Sequence, residues 1–503
     1  MKRILTISLL ILLTVALFTM GCTSEQKPTA PPSGPDALNN QAGVEFANAN
    51  YRAATNLYTL AYQNYTAAGN TAAALQARNR AFTAQRMFIE FGLNRTAVEQ
   101  VVTEEFPDAS AGEKAGWLLD NQTIRIRSDG EKLYFSDTVG NIRYHNPTLM
   151  QKMSAAMNKT PLYDPLIPVV NSPSFTGAGP YGKPVSWEGT ETLSIPRNDL
   201  PKSGTLQLWV PVPIESGSQS NVTVFSIKPS KYVVTPPDTH ADLGLVYMEI
   251  PLQQETGDFI NVSVGFRYTQ AEQRFVIDPA KVKPYNTSSP EYRKYTAPGK
   301  NIVITPEMKK KALEIVGNET NPYLQAKLIY WHIMEDFYYS HVPHIYLEAS
   351  GTPESAYVLE TGFGDCGSQS MYFTALCRSL GIPARTVGGY QLIPGWEGPH
   401  FWAEYYLEGY GWIPVDVTAA ETAEWSYNAA PGERLKFREY YFGGLDPYRY
   451  IMQKDVDIPI TPDPGDAVLF RMVVQSPKVV CDTCPDDLDL FLPAYWKVDV
   501  KRV

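Results

Sequence analysis

At 503 residues, with 44% hydrophobic and 19% charged side chains, the chain exceeds what one hydrophobic core usually organises, and two or three domains are expected. The composition excludes a disordered chain. A net charge of −10 argues against the broad basic face that nucleic acid requires.

Lys2 and Arg3 precede an apolar run from Ile4 to Met20, after which Gly21-Cys22 opens a polar stretch. A charged start, an apolar middle and a small residue before a processing point are the layout of an export signal. The segment resembles a lipoprotein signal, with Thr19 standing where such signals usually carry leucine. That resemblance implies a lipid on Cys22; the alternative is an uncleaved anchor, for which the run is short. The chain is therefore expected to be exported, membrane-anchored and extracytoplasmic. Residues 1–22 form the signal segment, and residues 23–40, rich in Pro and Ser, a flexible tether.

Residues 41–118 read as helical. Tyr51, Ala54, Tyr58, Ala61 and Tyr65 recur at three- and four-residue steps, and Ala74, Ala77, Ala81, Ala84 and Phe88 repeat the pattern after Gly69-Asn70. Small residues alternating with aromatics suit a close-packed helical hairpin, which would space the next domain or bind a protein partner. The period then changes to two: Thr123–Arg127 alternates, Asp129-Gly130 makes a turn, and Leu133-Tyr134-Phe135 returns. Strand-like runs at Leu206–Pro213, Val222–Ile227, Leu245–Ile250 and Phe259–Tyr268 place an antiparallel, sandwich-like β domain within residues 119–285. Residues 284–300 read as a connecting arm.

The chemistry is concentrated between Gly362 and Thr418. Gly-Phe-Gly-Asp-Cys366 runs straight into a helical pattern that ends at Leu380-Gly381-Ile382-Pro383, so Cys366 sits at a helix N-terminus. Unpaired N–H groups and the helix dipole there are expected to favour the thiolate and to receive an oxyanion. His400 opens an aromatic strand, and Asp416 lies on the returning run Trp412–Thr418. A thiol nucleophile needs a base, and the base needs an acceptor that fixes its tautomer. Of the remaining cysteines, Cys377 reads as packing. Cys481 and Cys484 could pair as a disulfide or offer half a zinc site, though no histidine or second cysteine pair completes one. His341 and His344 flank Val342-Pro343 with no evident partner, Trp331, Trp402 and Trp412 read as packing, and Asp486, Asp487 and Asp489 read as a solvated acidic loop.

Gly-Asp-Cys366 with its helix, Gly-Ile-Pro-Ala-Arg385, His400-x-Trp402-x-Glu404 and Gly-Trp412-x-Pro-x-Asp416-x-Thr418 together resemble the transglutaminase-like superfamily. The run from Tyr441 to Arg449 looks like the family's continuation. The resemblance implies an α+β, papain-related core, a helix packed on an antiparallel sheet, spanning residues 301–460, with residues 461–503 as a C-terminal β extension. It assigns Cys366, His400 and Asp416 to a catalytic triad that needs neither cofactor nor metal. A peptide or protein amide is the expected substrate, and hydrolysis the expected outcome. Cross-linking acyl transfer to an amine, or a surface module that binds without turnover, are the alternatives.

Overall fold

The computed structural model describes residues 34–503 apart from 120–123, 157–161, 174, 176–178, 427–428, 469 and 485. The expected signal and Cys22 lie outside the described residues. Helices α1 (Pro35–Ala47), α2 (Tyr51–Ala67) and α3 (Thr71–Glu90) pack together. Tyr58 and Tyr65 fill the spaces that Ala42, Ala61, Ala74, Ala77, Ala81 and Ala84 leave between the axes. Helix α1 begins inside the stretch assigned to the tether, because Pro35 starts its first turn, Leu38 is buried and Tyr65 donates a hydrogen bond to Asp36. Helix α4 (Arg95–Glu105) follows, then a hairpin of β1 (Ile124–Ile126) and β2 (Lys132–Tyr134) turned at Gly130, whose φ of 84° suits glycine.

The sequence placed the β domain from residue 119, but its first strand begins at Tyr181. Before it come α5 (Thr138–Tyr144) and short helices at Pro147–Ala156 and Ile167–Val170. Pro147 and Pro168 occupy the first turns of the two short helices. The sandwich contains β3 (Tyr181–Pro196), β4 (Thr205–Pro211), β5 (Gln219–Lys228), β6 (Val233–Thr235), β7 (Leu245–Pro251) and β8 (Phe259–Arg274). The two 16-residue strands, β3 and β8, pair antiparallel along their length. At one end Leu193, Ile195, Val262 and Val264 pack on the second sheet of the sandwich. At the other end Trp187, Phe266 and Tyr268 pack on Tyr390 and Tyr450 of the next domain. Each large apolar side chain so buried contributes about 1.5–3 kcal/mol, which joins the two domains through one continuous apolar surface.

The connecting arm is ordered, with Tyr285 donating to the Tyr406 carbonyl at 2.8 Å. Helices α6 (Pro306–Val316), α7 (Pro322–Asp336) and α9 (Glu354–Thr361) pack on α10 (Cys366–Ser379), and α8 (His344–Ser350) reaches the residue before it through His344. Every residue of α10 from Gly367 to Ser379 is buried. Two of its polar members pair outside the helix: Thr374 bonds Thr386 at 2.9 Å, and Arg378 bonds Asp455 at 2.6 Å. Helix α10 lies on an antiparallel sheet ordered β11 (Gly411–Val415), β10 (Gly398–Leu407), β9 (Ala384–Gln391) and β12 (Arg449–Gln453). Helix α11 (Val417–Glu421) follows β11.

The C-terminal residues, read as an extension, complete the sandwich. Strand β13 (Lys478–Cys481) pairs with β4, and β14 (Trp496–Arg502) pairs with β3. Each covers a sheet edge that would otherwise expose unpaired N–H and C=O groups.

Candidate active site

Cys366 is the first residue of α10, and Asp365 caps the helix. The Asp365 carboxylate accepts the Ser368 N–H at 2.9 Å, and the Ser368 hydroxyl accepts the Asp365 N–H at 2.9 Å. His344 then holds Asp365 at 2.8 Å through Nε2 and Glu354 at 2.7 Å through Nδ1. Burial alone would raise the Asp365 carboxyl, but His344 and Ser368 hold it well below the usual carboxylate range. The carboxylate is therefore ionised beside the cysteine. Cys366 as a residue is half-buried, and its thiol lies against the backbone N–H groups of Phe401 and Gly367.

The expected ease of ionisation is not what this setting provides. Burial pushes the Cys366 thiol well up, the negative charge of Asp365 adds to that, and the two N–H groups offset only part of it. A helix N-terminus favours a thiolate, but the ionised cap directly before this one opposes it. This setting favours the thiol over the thiolate.

His400 lies near the start of β10, paired with Gly389 of β9. A side chain at Gly389 would collide with the Tyr450 carbonyl and the Trp402 ring, so glycine is what lets the strands close here. His400 Nε2 is 2.9 Å from Asp416 Oδ2. Strand β11 stops at Val415, so Asp416 is not a strand residue as read from sequence. It caps α11, taking the Ala419 N–H at 3.1 Å through its other oxygen. The buried Arg449 also donates to Asp416 Oδ2, at 3.0 Å, and to Asp446, while its guanidinium lies 5.0 Å from the Trp402 ring centroid. Burial would raise Asp416, but His400 and Arg449 hold it well below the usual range. An ionised acceptor at Nε2 places the ring proton there and leaves Nδ1 as the basic nitrogen.

Sequence reasoning missed two residues that fix this arrangement. Arg449 was noted only as part of a family-like run, although an arginine inside an aromatic strand is itself a sign of a buried charge. Gln475 donates to the carbonyls of Gly389 and His400 at 2.7 and 2.8 Å and so locks the strand pair at the histidine. It comes from the C-terminal segment, and no local pattern marks it.

His341 and His344, which showed no partner in the sequence, both have one. His344 bridges Glu354 and Asp365, and His341 is held by Asp137, Asn141 and Tyr144 of the N-terminal region. Trp331 packs on the core beside Tyr330, Trp402 is fully buried, and Trp412 lies 4.1 Å from the Arg385 guanidinium. Cys377 is buried in the core. Cys481 and Cys484 are joined in a disulfide, so neither offers a thiolate to zinc. Among the described residues no group of three His, Cys, Asp or Glu side chains is arranged to hold a metal ion. The acidic loop is not solvated throughout: Asp487 is buried against Arg86 of α3, which also lies 3.6 Å from Asp489.

Comparison with known proteins bears on the same stretch. The family model described as the transglutaminase-like superfamily matches residues 309–417. An uncharacterised protein of Haemophilus influenzae is 30% identical over 164 residues, an alignment spanning 27% of this chain and 42% of that relative. The chain thus spans less than half the length of that relative. A crystal structure of a proposed cysteine protease from Cytophaga hutchinsonii aligns with a TM-score of 0.39 at 16% identity, covering 64% of this chain and 92% of its own. A proposed protease from Parabacteroides distasonis aligns with a TM-score of 0.20 at 12% identity, covering 46% of this chain and 43% of its own. Residues 309–417, which carry Cys366, His400 and Asp416, are a transglutaminase-like domain.

Proposed function

We propose that the chain is an extracytoplasmic thiol enzyme that attacks amide bonds of peptides or proteins and hydrolyses them through an acyl-enzyme on Cys366. This reading is supported by the buried His400–Asp416–Arg449 arrangement and by the Cys366 thiol, which opens a helix and lies against the N–H of Phe401, the residue after His400. The thiol proton passes to His400 Nδ1 as the sulfur attacks the amide carbon. The resulting imidazolium is stabilised by Asp416, whose charge Arg449 keeps in place. The backbone N–H of Cys366, in the first turn of α10, would receive the oxyanion. His400 then gives its proton to the departing amine and takes one from the water that releases the acid. Water is the acceptor that needs no second binding site. The disulfide between Cys481 and Cys484 accords with an oxidising compartment, and the signal-like residues 1–22 accord with export and with anchoring through Cys22.

The test is incubation of the purified protein, beside Cys366→Ala, with a panel of peptide amides, with and without a primary amine. Released acid that disappears in the variant is expected. Amine incorporation instead would make the protein an acyl-transferase, and equal turnover by Cys366→Ala would refute the thiol mechanism. If neither protein turns over any substrate, a binding module becomes the better description. Placement is checked separately: the full chain should fractionate with membranes facing outward, and Cys22→Ala should lose lipid labelling.

A further inference from the structure

Helices α2 and α3 meet α1 through their tyrosine and alanine stripes, and a second face of each borders a cavity of about 260 Å³. Helix α2 presents Arg52, Thr55, Asn56 and Thr59 to it, at positions i, i+3, i+4 and i+7, with Tyr62 beyond them. Helix α3 presents Arg78, Phe82 and Gln85, at i, i+4 and i+7, and then Phe88. A larger cavity, about 600 Å³, shares Arg52, Asn56 and Phe88 as its wall and continues to Arg127 at the turn of the β1–β2 hairpin. The two adjoin, so they make one groove. Its α2 wall from Arg52 to Tyr62 alone runs about 15 Å, the reach of about four or five residues of extended chain.

The chemistry of this groove is not that of a solvated helix face. Helix α2 has no Lys, Asp or Glu along its 17 residues. Hydroxyls, amides, aromatic rings and arginines line the groove instead, the mixture enriched where proteins meet partners. Both arginines lie over rings, Arg52 at 4.6 Å from the Phe88 centroid and Arg78 at 5.6 Å from that of Phe82. Arg78 is only 3% exposed. Its Nη1 donates to the carbonyls of Cys481 and Asp482, and its Nε has no partner. Among the described residues neither Arg52 nor Arg78 forms an ion pair, although Asp486 stands on the same wall. Arg86, two turns along α3, is by contrast closed by Asp487. Burial lowers the Arg78 guanidinium from its usual value, and Tyr62, Asp482 and Asp487 offset only part of that. A buried guanidinium without an anion is unfavourable, and an anion that joins it relieves the deficit.

We propose that this groove binds an extended peptide segment that carries a carboxylate, seated at Arg52 and Arg78. A guanidinium matches a carboxylate through paired N–H groups. Thr55, Asn56, Thr59 and Gln85 can both donate and accept, which is what a peptide backbone requires. Glu45, Glu131 and Asp486 also stand on the walls, so a singly charged carboxylate suits the groove better than a phosphate. No lining residue belongs to α10, β10 or α11, so the site does not depend on the reading of Cys366 as nucleophile.

The experiment uses the full chain with Cys366→Ala, so that no probe is consumed. Octapeptides bearing an uncharged dye, random among uncharged residues except at one position, carry Asp or Asn there and end in a free carboxylate or an amide. Fluorescence anisotropy should show the carboxylate-bearing pools binding about tenfold tighter than the Asn amide pool, the worth of one hydrogen bond to a charged group. Which carboxylate supplies the gain tells a side chain from a chain end. Arg52 makes no side-chain hydrogen bond among the described residues, so Arg52→Gln should fold as its parent does and lose that preference. Arg78→Gln should lose it too, but Arg78 also ties the disulfide loop, and Arg52→Gln therefore decides. Equal binding of acidic and neutral pools, binding by none, or a preference unchanged in Arg52→Gln would overturn the proposal. So would displacement by acetate as effective as by unlabelled peptide, because the groove would then hold a bare anion and no peptide.

Discussion

Two imidazole–aspartate pairs lie in the regions around Asp365-Cys366, and they are built in opposite ways. His400 and Asp416 are 16 residues apart, one near the start of β10 and the other capping α11 just past β11, with side chains 8% and 0% exposed. His341 and Asp137 are 204 residues apart on different parts of the chain, with side chains 40% and 43% exposed. In the first pair the aspartate is also held by Arg449 and by the α11 N-terminus, so its charge and orientation are over-determined. In the second, water competes for both partners, and the pair persists only while α5 stays docked. The buried pair suits a group that must keep one tautomer, whereas the rim pair suits one whose protonation follows the medium.

The largest effect expected from that contrast lies in matched aspartate-to-asparagine changes. Asp416→Asn should leave the fold intact, as judged by circular dichroism, and cut turnover by about 10⁴-fold, as loss of an orienting aspartate's charge does in other triads. Asp137→Asn should change turnover far less and mainly alter its pH dependence. If the two variants lose similar activity, the distinction between buried and rim pairs is wrong.

A smaller effect sharpens the comparison at the docking seam itself. Glu90 of α3 accepts the N–H groups of Ile345 and Tyr346 at 3.1 and 2.7 Å, at the start of α8. Burial raises its pKa to about 7, despite those two bonds. The folded state then holds the proton more tightly than the unfolded chain, whose carboxyl titrates near the usual value. Stability is therefore expected to fall as pH rises from about 4.5 to about 7, by about 3 kcal/mol, and to level off above that. Glu90→Gln, which mimics the neutral acid, should flatten that part of the curve. Urea midpoints of both proteins across this range decide it, and equal slopes would show that Glu90 does not set the seam's pH dependence.

What could be read from the sequence follows from where the partners lie. The stripe Tyr51, Ala54, Tyr58, Ala61 and Tyr65 is buried along its whole length, because a helix carries its packing pattern locally. Cys366, His400 and Asp416 sit within 51 residues of one another in motifs fixed by consecutive elements. Strand β3 was missed although Val185, Trp187, Leu193 and Ile195 alternate, because Gly189 and Glu191 occupy the inward positions between them. Glu191 is buried at 2% exposure with Trp496 donating to it at 3.2 Å, a partner 305 residues away. Tyr144, Gln475 and the Arg86–Asp487 pair were illegible for the same reason: each acts through a partner that only the tertiary fold brings near.

The smallest expected effect tests whether the seam also depends on the disulfide. Cys481 and Cys484 close a loop with a sequence separation of only 3, so the loss of unfolded-state entropy is modest, about 2 kcal/mol in the chain-entropy picture. The loop has a second tie, because Arg78 of α3 donates to the carbonyls of Cys481 and Asp482 at 3.3 and 2.7 Å. Arg86, two turns further along α3, holds Asp487 just beyond it. The disulfide thus fixes the carbonyls that receive an N-terminal helix, while β13 fixes the same chain to the sandwich. Cys484→Ser should lower the urea midpoint under non-reducing conditions, and Arg78→Met should lower it less once the disulfide is gone than while it is present. Strict additivity of the two losses would mean that the disulfide acts only on the unfolded chain and that Arg78 grips the loop equally well without it.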